Sequence, residues 1–429
     1  MIMSIVRVAI VGSGYSGAAA FHFLEKCLGK TRQAIDLVYV SQDSYYCLEN
    51  YATELLTNSS DLTEVCHGIR NIGMLRPGVS FLQSTVLELD LNSKVIKTSS
   101  GEILYDYLIL APVKDIDLPD KEIKVSTFFK LQTPYEIMLF KNQVLNTFQA
   151  AVVEKNIDLK KELMTFTVMG DGCKAIELAC SIYDYASRLL RKSFPELNGC
   201  MLKVNMILKG EQIVDDEKLF FSSRLLYHLK KRGINVYLNS KSLKQHDGLI
   251  DINGEDSIVH GTIVREHSRC SSLVQNQPFR KDEYENISVD LYLKADGFDD
   301  IFVIGESSKC LDVNDSEVRT NYFYKTQAKI CADNILALLN NNPLKPLKVN
   351  SYINFISLGY RNSILIIKEF YFDGLLSWMI CRLVSLWSFL GWKKKLRSVF
   401  AFFVNIFGLR DNEVVLISDL SRKIEKVRK

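Results

Sequence analysis

The 429-residue sequence is short of three things. None of its ten cysteines forms a C-x-x-C pair, and none joins a His/Cys cluster of metal-ligand spacing. That pattern speaks against a paired-cysteine redox motif and a metal site, and it predicts buried or free thiols in a reducing compartment. The N-terminus runs straight into the strand-like stretch "SIVRVAIV", so no signal peptide is expected. No apolar run reaches the ~20 residues that a membrane span needs. The tail stretch Leu375 to Trp392 carries Arg382 in its middle, at a cost of about 2.5–3.5 kcal/mol at the centre of a bilayer.

With 47% hydrophobic and 24% charged residues the chain has a folding rather than a disordered composition. Its length implies two domains and an appendage. The net charge of +3 hides an asymmetry. Asn341 to Lys429 hold 15 Lys and Arg against 6 Asp and Glu, a net +9 that leaves −6 for the rest. A basic tail on an acidic body points to an anionic surface.

"VAIVGSGYSGAAA" opens the fold. Arg7 to Val11 reads as a strand, Gly12, Gly14 and Gly17 as a G-x-G-x-x-G turn, Ala18 to Lys26 as a helix and Ile35 to Val40 as the next strand. In that setting Gly12 permits the tight turn, Gly14 admits a pyrophosphate, and Gly17 lets helix and strand pack closely. Unpaired N–H groups at the helix start then face the phosphates. The usual ribose acid is absent after the second strand. Ser41 and Asp43 are the two candidates there. Short β-rich runs between Val79 and Pro112 form a hairpin pattern that closes on the apolar "YDYLILAP".

The same device recurs. "FTVMGDGCKAIELAC" sets Gly170, Gly172 and Ala175 at G-x-G-x-x-A spacing between a strand and a helix, and "LKVNMILKG" supplies the following strand. Two fingerprints about one domain apart are far more specific than one. "DGFDDIFVIGES" is a further strand, ending in Gly305 and Glu306, with a helix predicted from about Thr326 to Asn340. All three tryptophans, Trp378, Trp387 and Trp392, lie in the tail beside Lys393, Lys394, Lys395 and Arg397. The expectation there is two interfacial amphipathic helices on anionic lipid, with a dimer interface as the competing use of the same apolar residues. The basic residues interleave with Leu and Phe, so no nucleic-acid partner is expected.

These landmarks, in this order and over nearly the whole chain, resemble the type II NADH:quinone oxidoreductase family of two-dinucleotide flavoproteins. "YVSQDSYYCLENYATELL", "KLQTPYEIMLFKNQV", "KTQAKICADNI" and "INFISLGYRNSIL" are similar to its connecting segments. The resemblance implies an α/β fold of two Rossmann-like dinucleotide-binding domains in a glutathione-reductase-like arrangement, plus a C-terminal amphipathic membrane-binding region. Residues 1–115 and 286–340 are then the FAD-binding domain, 116–285 the NAD(P)H-binding domain, and 341–429 the membrane-association or dimerisation region.

By that likeness Gly12, Gly14, Gly17, Ser41, Val86, Gly305 and Glu306 hold FAD, and Gly170, Gly172, Ala175 and Lys209 hold NAD(P)H. Gln327 lies at the flavin–quinone junction and Glu177 near the nicotinamide. The implied activity is hydride transfer from NAD(P)H to FAD and two-electron transfer to quinone, by a peripheral protein on the cytoplasmic face of a membrane. The sequence departs from the pattern at Thr326, at Ala111-Pro112-Val113-Lys114, at Val264 to Cys270 and around Leu208-Lys209. Lys209 in place of an acid is compatible with a 2′-phosphate as well as with a solvated charge. The departures leave two other readings open: a non-catalytic sensor or scaffold of the same fold, and a flavoprotein reductase with another acceptor.

Overall fold

The computed structural model of the chain describes residues 5–390, apart from 29–33, 49–50, 73–75, 113–114, 117–127, 171, 198–200, 214–218, 241–242, 247–248, 255, 260, 267, 270, 283–284, 311–320, 349–352 and 368–369, together with Leu396 and Val399. The expected run of Trp392, Lys393, Lys394, Lys395 and Arg397 lies outside the described residues, as does Lys114.

The first unit begins with β1 (Val6–Val11), α1 (Tyr15–Cys27) and β2 (Ile35–Ser41). A two-stranded pair, β3 (Tyr45–Cys47) and β4 (Cys66–Gly68), brackets the short helices α2 (Tyr51–Leu56) and α3 (Leu62–Val65). Then come β5 (Val79–Gln83), an antiparallel meander of β6 (Val86–Asp90), β7 (Val95–Thr98) and β8 (Gly101–Leu104), and β9 (Tyr107–Leu110). β1 is buried along its last four residues, Val8 to Val11, which is why that stretch is an unbroken apolar run.

The second unit opens with β10 (Asp115–Ile116) and β11 (Phe128–Phe129). α4 (Pro134–Val153) starts where Thr133 and Glu136 form a reciprocal capping box with Pro134 in the first turn. α5 (Ile157–Leu163), β12 (Thr165–Gly170), α6 (Gly172–Ser193), β13 (Lys203–Ile207), α7 (Leu219–Arg232) and β14 (Ile234–Tyr237) follow. A second meander of β15 (Leu243–His246), β16 (Leu249–Ile252) and β17 (Asp256–Val259) precedes β18 (Thr262–Glu266), β19 (Ser268–Arg269) and α8 (Ser272–Gln275). β19 pairs back onto β10.

The chain returns to the first unit through β20 (Ile287–Val289), β21 (Ile301–Val303), β22 (Ser308–Cys310) and α9 (Asn321–Leu339). It ends, among the described elements, with an antiparallel sheet of β23 (Ile353–Ser357), β24 (Ser363–Ile367) and β25 (Phe370–Asp373), then α10 (Gly374–Trp387). α9 starts five residues before the expected Thr326.

Two five-stranded parallel sheets result, ordered β21-β9-β1-β2-β5 and β11-β18-β12-β13-β14. In each, the strand before the glycine turn is central and its two neighbours come from different parts of the chain, the crevice where open α/β sheets bind ligands. The α/β fold of two dinucleotide-binding units expected from the sequence is the one observed. Two large cores follow the sheets, with a smaller cluster of Met169, Ile207, Ile250 and Ile263 beside the second meander. The first contains Val8, Ile10, Phe21, Tyr39, Phe302 and Ile335, and Phe389 and Leu390 of the tail also join it. The second contains Phe140, Phe148, Phe166, Ile176 and Met206, with Leu55, Leu56 and Val65 from the segment between β3 and β4.

Two expectations change here. Cys47 and Cys66 are not free thiols. The antiparallel register sets them opposite each other and they form a disulfide, a pairing that their separation of 19 residues does not announce. The tail helix α10 also differs from a helix lying on a surface by one apolar face. Ser377, Cys381 and Ser385 are buried against the body, and Arg382 turns inward to an ion pair with Glu54. Leu375, Leu376 and Leu383 are the exposed residues. Among the described residues no helix is long and apolar enough to cross a membrane.

Phe166 lies at the heart of the second core, fully buried and edge-on to Phe140 and Phe148, with centroids at 6.2 and 6.1 Å. Phe166→Ala is expected to lower unfolding stability by about 3–5 kcal/mol, read by chemical denaturation. A loss of less than about 1 kcal/mol would contradict this packing.

Candidate functional site

The first glycine turn is locked to its own sheet. The Gly12 N–H donates to Val40 O at 3.2 Å, and the Tyr39 hydroxyl donates to Gly12 O at 2.8 Å. Gly12 has φ +143°, and a Cβ there would sit 1.9 Å from Ala111 O, so no other residue fits. Gly14 is the residue before α1, in ordinary extended geometry, and supplies no side-chain cap. The first-turn N–H groups of α1 then form the arrangement that receives an anion. A Cβ on Gly17 would approach Gly12 O at 2.9 Å, the close helix–loop packing expected of the third glycine.

The strand-end pair lies beside this turn. Gly305 has φ +86°, and a Cβ on it would meet Ser16 Oγ at 2.7 Å. Gln327, fully buried in α9, accepts from the Gly305 N–H at 3.0 Å and donates through Nε2 to Ser308 Oγ at 3.2 Å. Both ends of its amide are thus engaged within the protein, so Gln327 holds the Gly305 turn. Thr326, the departure beside it, donates to Tyr322 O. Ser307 donates to Pro112 O at 2.9 Å, tying the same turn to the end of β9.

The second glycine turn is brought to the first by a charge. Lys174, in the first turn of α6, ion-pairs with Glu306. Gly172 opens α6 at φ +75°, and a Cβ added to it would meet nothing within 4 Å, whereas a Cβ on Gly170 would collide with Glu266 O at 2.5 Å. Ala175 is fully buried. Open space at Gly172 and an uncapped α1 fit two dinucleotides, one at each helix start.

One turn further along α6, Glu177 Oε1 accepts from the Ser357 N–H at 2.8 Å. Burial pushes the Glu177 carboxyl up to about 7, against the opposing pull of the Ser357 N–H and of Lys174. It borders a cavity of about 40 Å³ shared with Glu54, Ser357, Cys381 and Arg382. A group that titrates near neutrality can hold or release a proton under physiological conditions.

Other expected residues stand apart from this junction. Ser41, buried at the end of β2, donates to Asp43 O at 2.9 Å and accepts from the Asp43 N–H at 3.2 Å, so its hydroxyl closes a local turn. Asp43 is half-buried, and burial pushes its carboxyl up. Val86 starts β6, paired with Thr98 beside a register shift. Lys209 is exposed just beyond β13. Arg265 is buried within β18.

Sequence reasoning missed Ser16, Tyr39, Lys174 and the Glu54–Arg382 pair. Lys174 was visible as a cation inside the second fingerprint, but nothing in the sequence names its partner. Among the described residues no group of three His, Cys, Asp or Glu side chains is placed to hold a metal ion.

Comparisons with known proteins agree with this fold. A family model described as "Pyridine nucleotide-disulphide oxidoreductase" matches residues 6–321. A type II NADH:quinone oxidoreductase of Haemophilus influenzae is 25% identical over 391 residues, covering 82% of this chain and 86% of that one. One from Mycobacterium tuberculosis is 20% identical and covers 96% and 90%. Among solved structures, NDH2 from Plasmodium falciparum in complex with NADH superposes with a TM-score of 0.77 at 14% identity, covering 95% of this chain and 99% of that one.

The raised Glu177 carboxyl has a stability consequence. Between pH 4.5 and about 7 the folded protein keeps a proton there that the unfolded chain loses, so stability falls as pH rises through that window and is level above it. The drop is expected to be about 2 kcal/mol, below the full shift because the carboxyl borders the cavity. Glu177→Gln keeps an acceptor for Ser357 and removes the titration. Denaturation midpoints at pH 5 and pH 8 should differ less in Glu177→Gln than in the wild type, and an identical pH response in both would refute the assignment.

Proposed function

This chain belongs to the pyridine nucleotide-disulphide oxidoreductase family, and from that premise we propose how its residues serve the oxidation of NAD(P)H by a quinone. It is an oxidoreductase, a flavoprotein of the type II NADH:quinone kind. FAD held at the first glycine turn would supply the redox chemistry, hydride acceptance from NAD(P)H and two-electron transfer to the quinone. The protein supplies binding, orientation and electrostatics.

Gly12, Gly14 and Gly17 hold the FAD pyrophosphate at the start of α1, with Ser41 and Val86 toward its adenosine end. Gly305 and Glu306 receive the flavin end. Gly170, Gly172 and Ala175 hold the NAD(P)H pyrophosphate at the start of α6, with Lys209 toward its adenosine. Gln327 acts as a positioning residue, because its amide fixes the Gly305 N–H and Ser308 rather than facing a reactant. Glu177 holds a proton one helical turn from Lys174. The observation that carries this reading is the junction itself: Ser16 against Gly305, and Glu306 paired with Lys174, bring both glycine turns to one place.

Leu375, Leu376 and Leu383 are exposed on one face of α10, and Phe370 of β25 is 69% exposed. We assign that face to an anionic membrane surface on the cytoplasmic side, with the protein bound peripherally and quinone reaching it from the lipid. A homodimer is the competing use of the same face.

Purified in mild detergent, the protein should show flavin absorption that bleaches within seconds of adding NADH or NADPH anaerobically and returns with a soluble quinone. The faster donor names the preference at Lys209. A colourless protein, or a yellow one that neither nucleotide reduces, would replace the enzyme by a sensor or scaffold. Reoxidation by a sulfur acceptor but not by quinone would replace the acceptor.

In flotation assays with anionic vesicles, Leu375→Ser, Leu376→Ser and Leu383→Ser combined should cut bound protein several-fold. Unchanged flotation together with loss of a dimer in sedimentation would move that face to self-association.

A further inference from the structure

Cys47 ends β3 and Cys66 opens β4, joined across the pair. The other described cysteines stand as thiols: Cys27, Cys173, Cys180, Cys310, Cys331 and Cys381. Several of these are sealed. Burial pushes the Cys180 thiol up to about 12 and raises Cys331 and Cys381 as well, which withholds the thiolate that exchange requires. Cys47 and Cys66 differ. Both are only half-buried, within reach of an attacking thiolate.

The residues between them act as a strap on three neighbours. Tyr51 donates to Gln132 O just ahead of α4. Asn58 accepts from Lys141 of α4. Thr57 O accepts from Arg188 of α6. Glu54 pairs with Arg382 of α10, and Ser60 bonds to both partners. The root of the strap is anchored by the residues next to the cysteines. Tyr46 packs on Tyr15 of the first glycine turn with centroids at 6.2 Å, and His67 packs on Phe389 of the tail at 5.4 Å. One covalent bond therefore stands at the base of the segment that fastens α4, α6 and α10.

We propose that Cys47–Cys66 is a thiol–disulfide exchange site whose partner is a dithiol, and that its state sets how firmly the strap is closed. One thiolate of the dithiol attacks one sulfur of the pair, the S–S bond breaks, and a mixed disulfide forms. The second thiolate of the dithiol then displaces the chain's sulfur. The dithiol leaves as a disulfide, and Cys47 and Cys66 remain as two thiols that have gained two electrons and two protons. Once open, the segment recovers the chain entropy that a closed loop denies it, and the contacts of Glu54, Thr57 and Asn58 open more often.

The test uses the full-length, flavin-loaded protein and dithiothreitol. Native protein is reduced in steps, trapped with an alkylating reagent and mapped by mass spectrometry, while parallel samples meet a protease. The expected result is two alkyl groups, at Cys47 and Cys66, gained together without loss of flavin absorption. Cleavage between Tyr51 and Val65 should then be faster by about ten-fold. Cys47→Ser with Cys66→Ser should cleave at the reduced rate with or without reductant. If that variant does not fold, the wild-type comparison alone decides. A pair that resists alkylation until the protein is denatured would overturn the proposal, as would a reduced protein cut at the oxidised rate.

Discussion

The arrangement of the candidate site depends on one ion pair, Lys174 with Glu306, at the meeting of two sheets. Each nucleotide unit has its own core and its own parallel sheet, so each is able to build a glycine turn without the other. What neither builds alone is the junction. Lys174 stands in the first turn of α6, and Glu306 follows the turn that touches Ser16 at the start of α1. This ion pair joins the two helix starts, and Gln327 holds the backbone just before Glu306.

A second constraint sets the far side of the molecule. An arginine withdrawn from water must meet an acid and have its remaining donors satisfied. Arg382 meets Glu54, and Ser60 completes the group. For this to happen α10 has to present its serines, its cysteine and its arginine to the body. Leu375, Leu376 and Leu383 are then left outside, the reverse of the usual sorting for a helix packed on a globular domain. The exposed apolar face is thus a consequence of the buried polar one. The same pair ties the tail to the strap between Cys47 and Cys66, which also reaches α4 and α6.

Much of this was legible in the sequence because it is local. The runs before Gly12 and Gly170 are mostly apolar, as a doubly covered parallel strand demands, and both glycine turns appear where strand gives way to helix. The two turns, with Gly12, Gly17 and Ala175, followed from such spacing, while the full fold class and the role of Gly305 came from the family resemblance. Ser41, Gln327 and the cysteines were harder. A hydroxyl at a strand end serves a ligand or its own turn equally well by sequence, and only the folded chain shows Ser41 bonded to Asp43. A glutamine on a helix shows no orientation in one dimension, and Gln327 turns both ends of its amide into the protein.

By itself the sequence determined the period of each element, the two nucleotide turns and the order in which they occur, since each is written in residues within a few positions of one another. Tertiary structure alone decided the partners: Lys174 with Glu306, Arg382 with Glu54, Cys47 with Cys66, and Glu177 with the Ser357 N–H. The reason is physical. A charge, a thiol or a buried carboxyl takes its properties from whatever packing brings within a few ångströms, and those neighbours lie from 19 to hundreds of residues away along the chain.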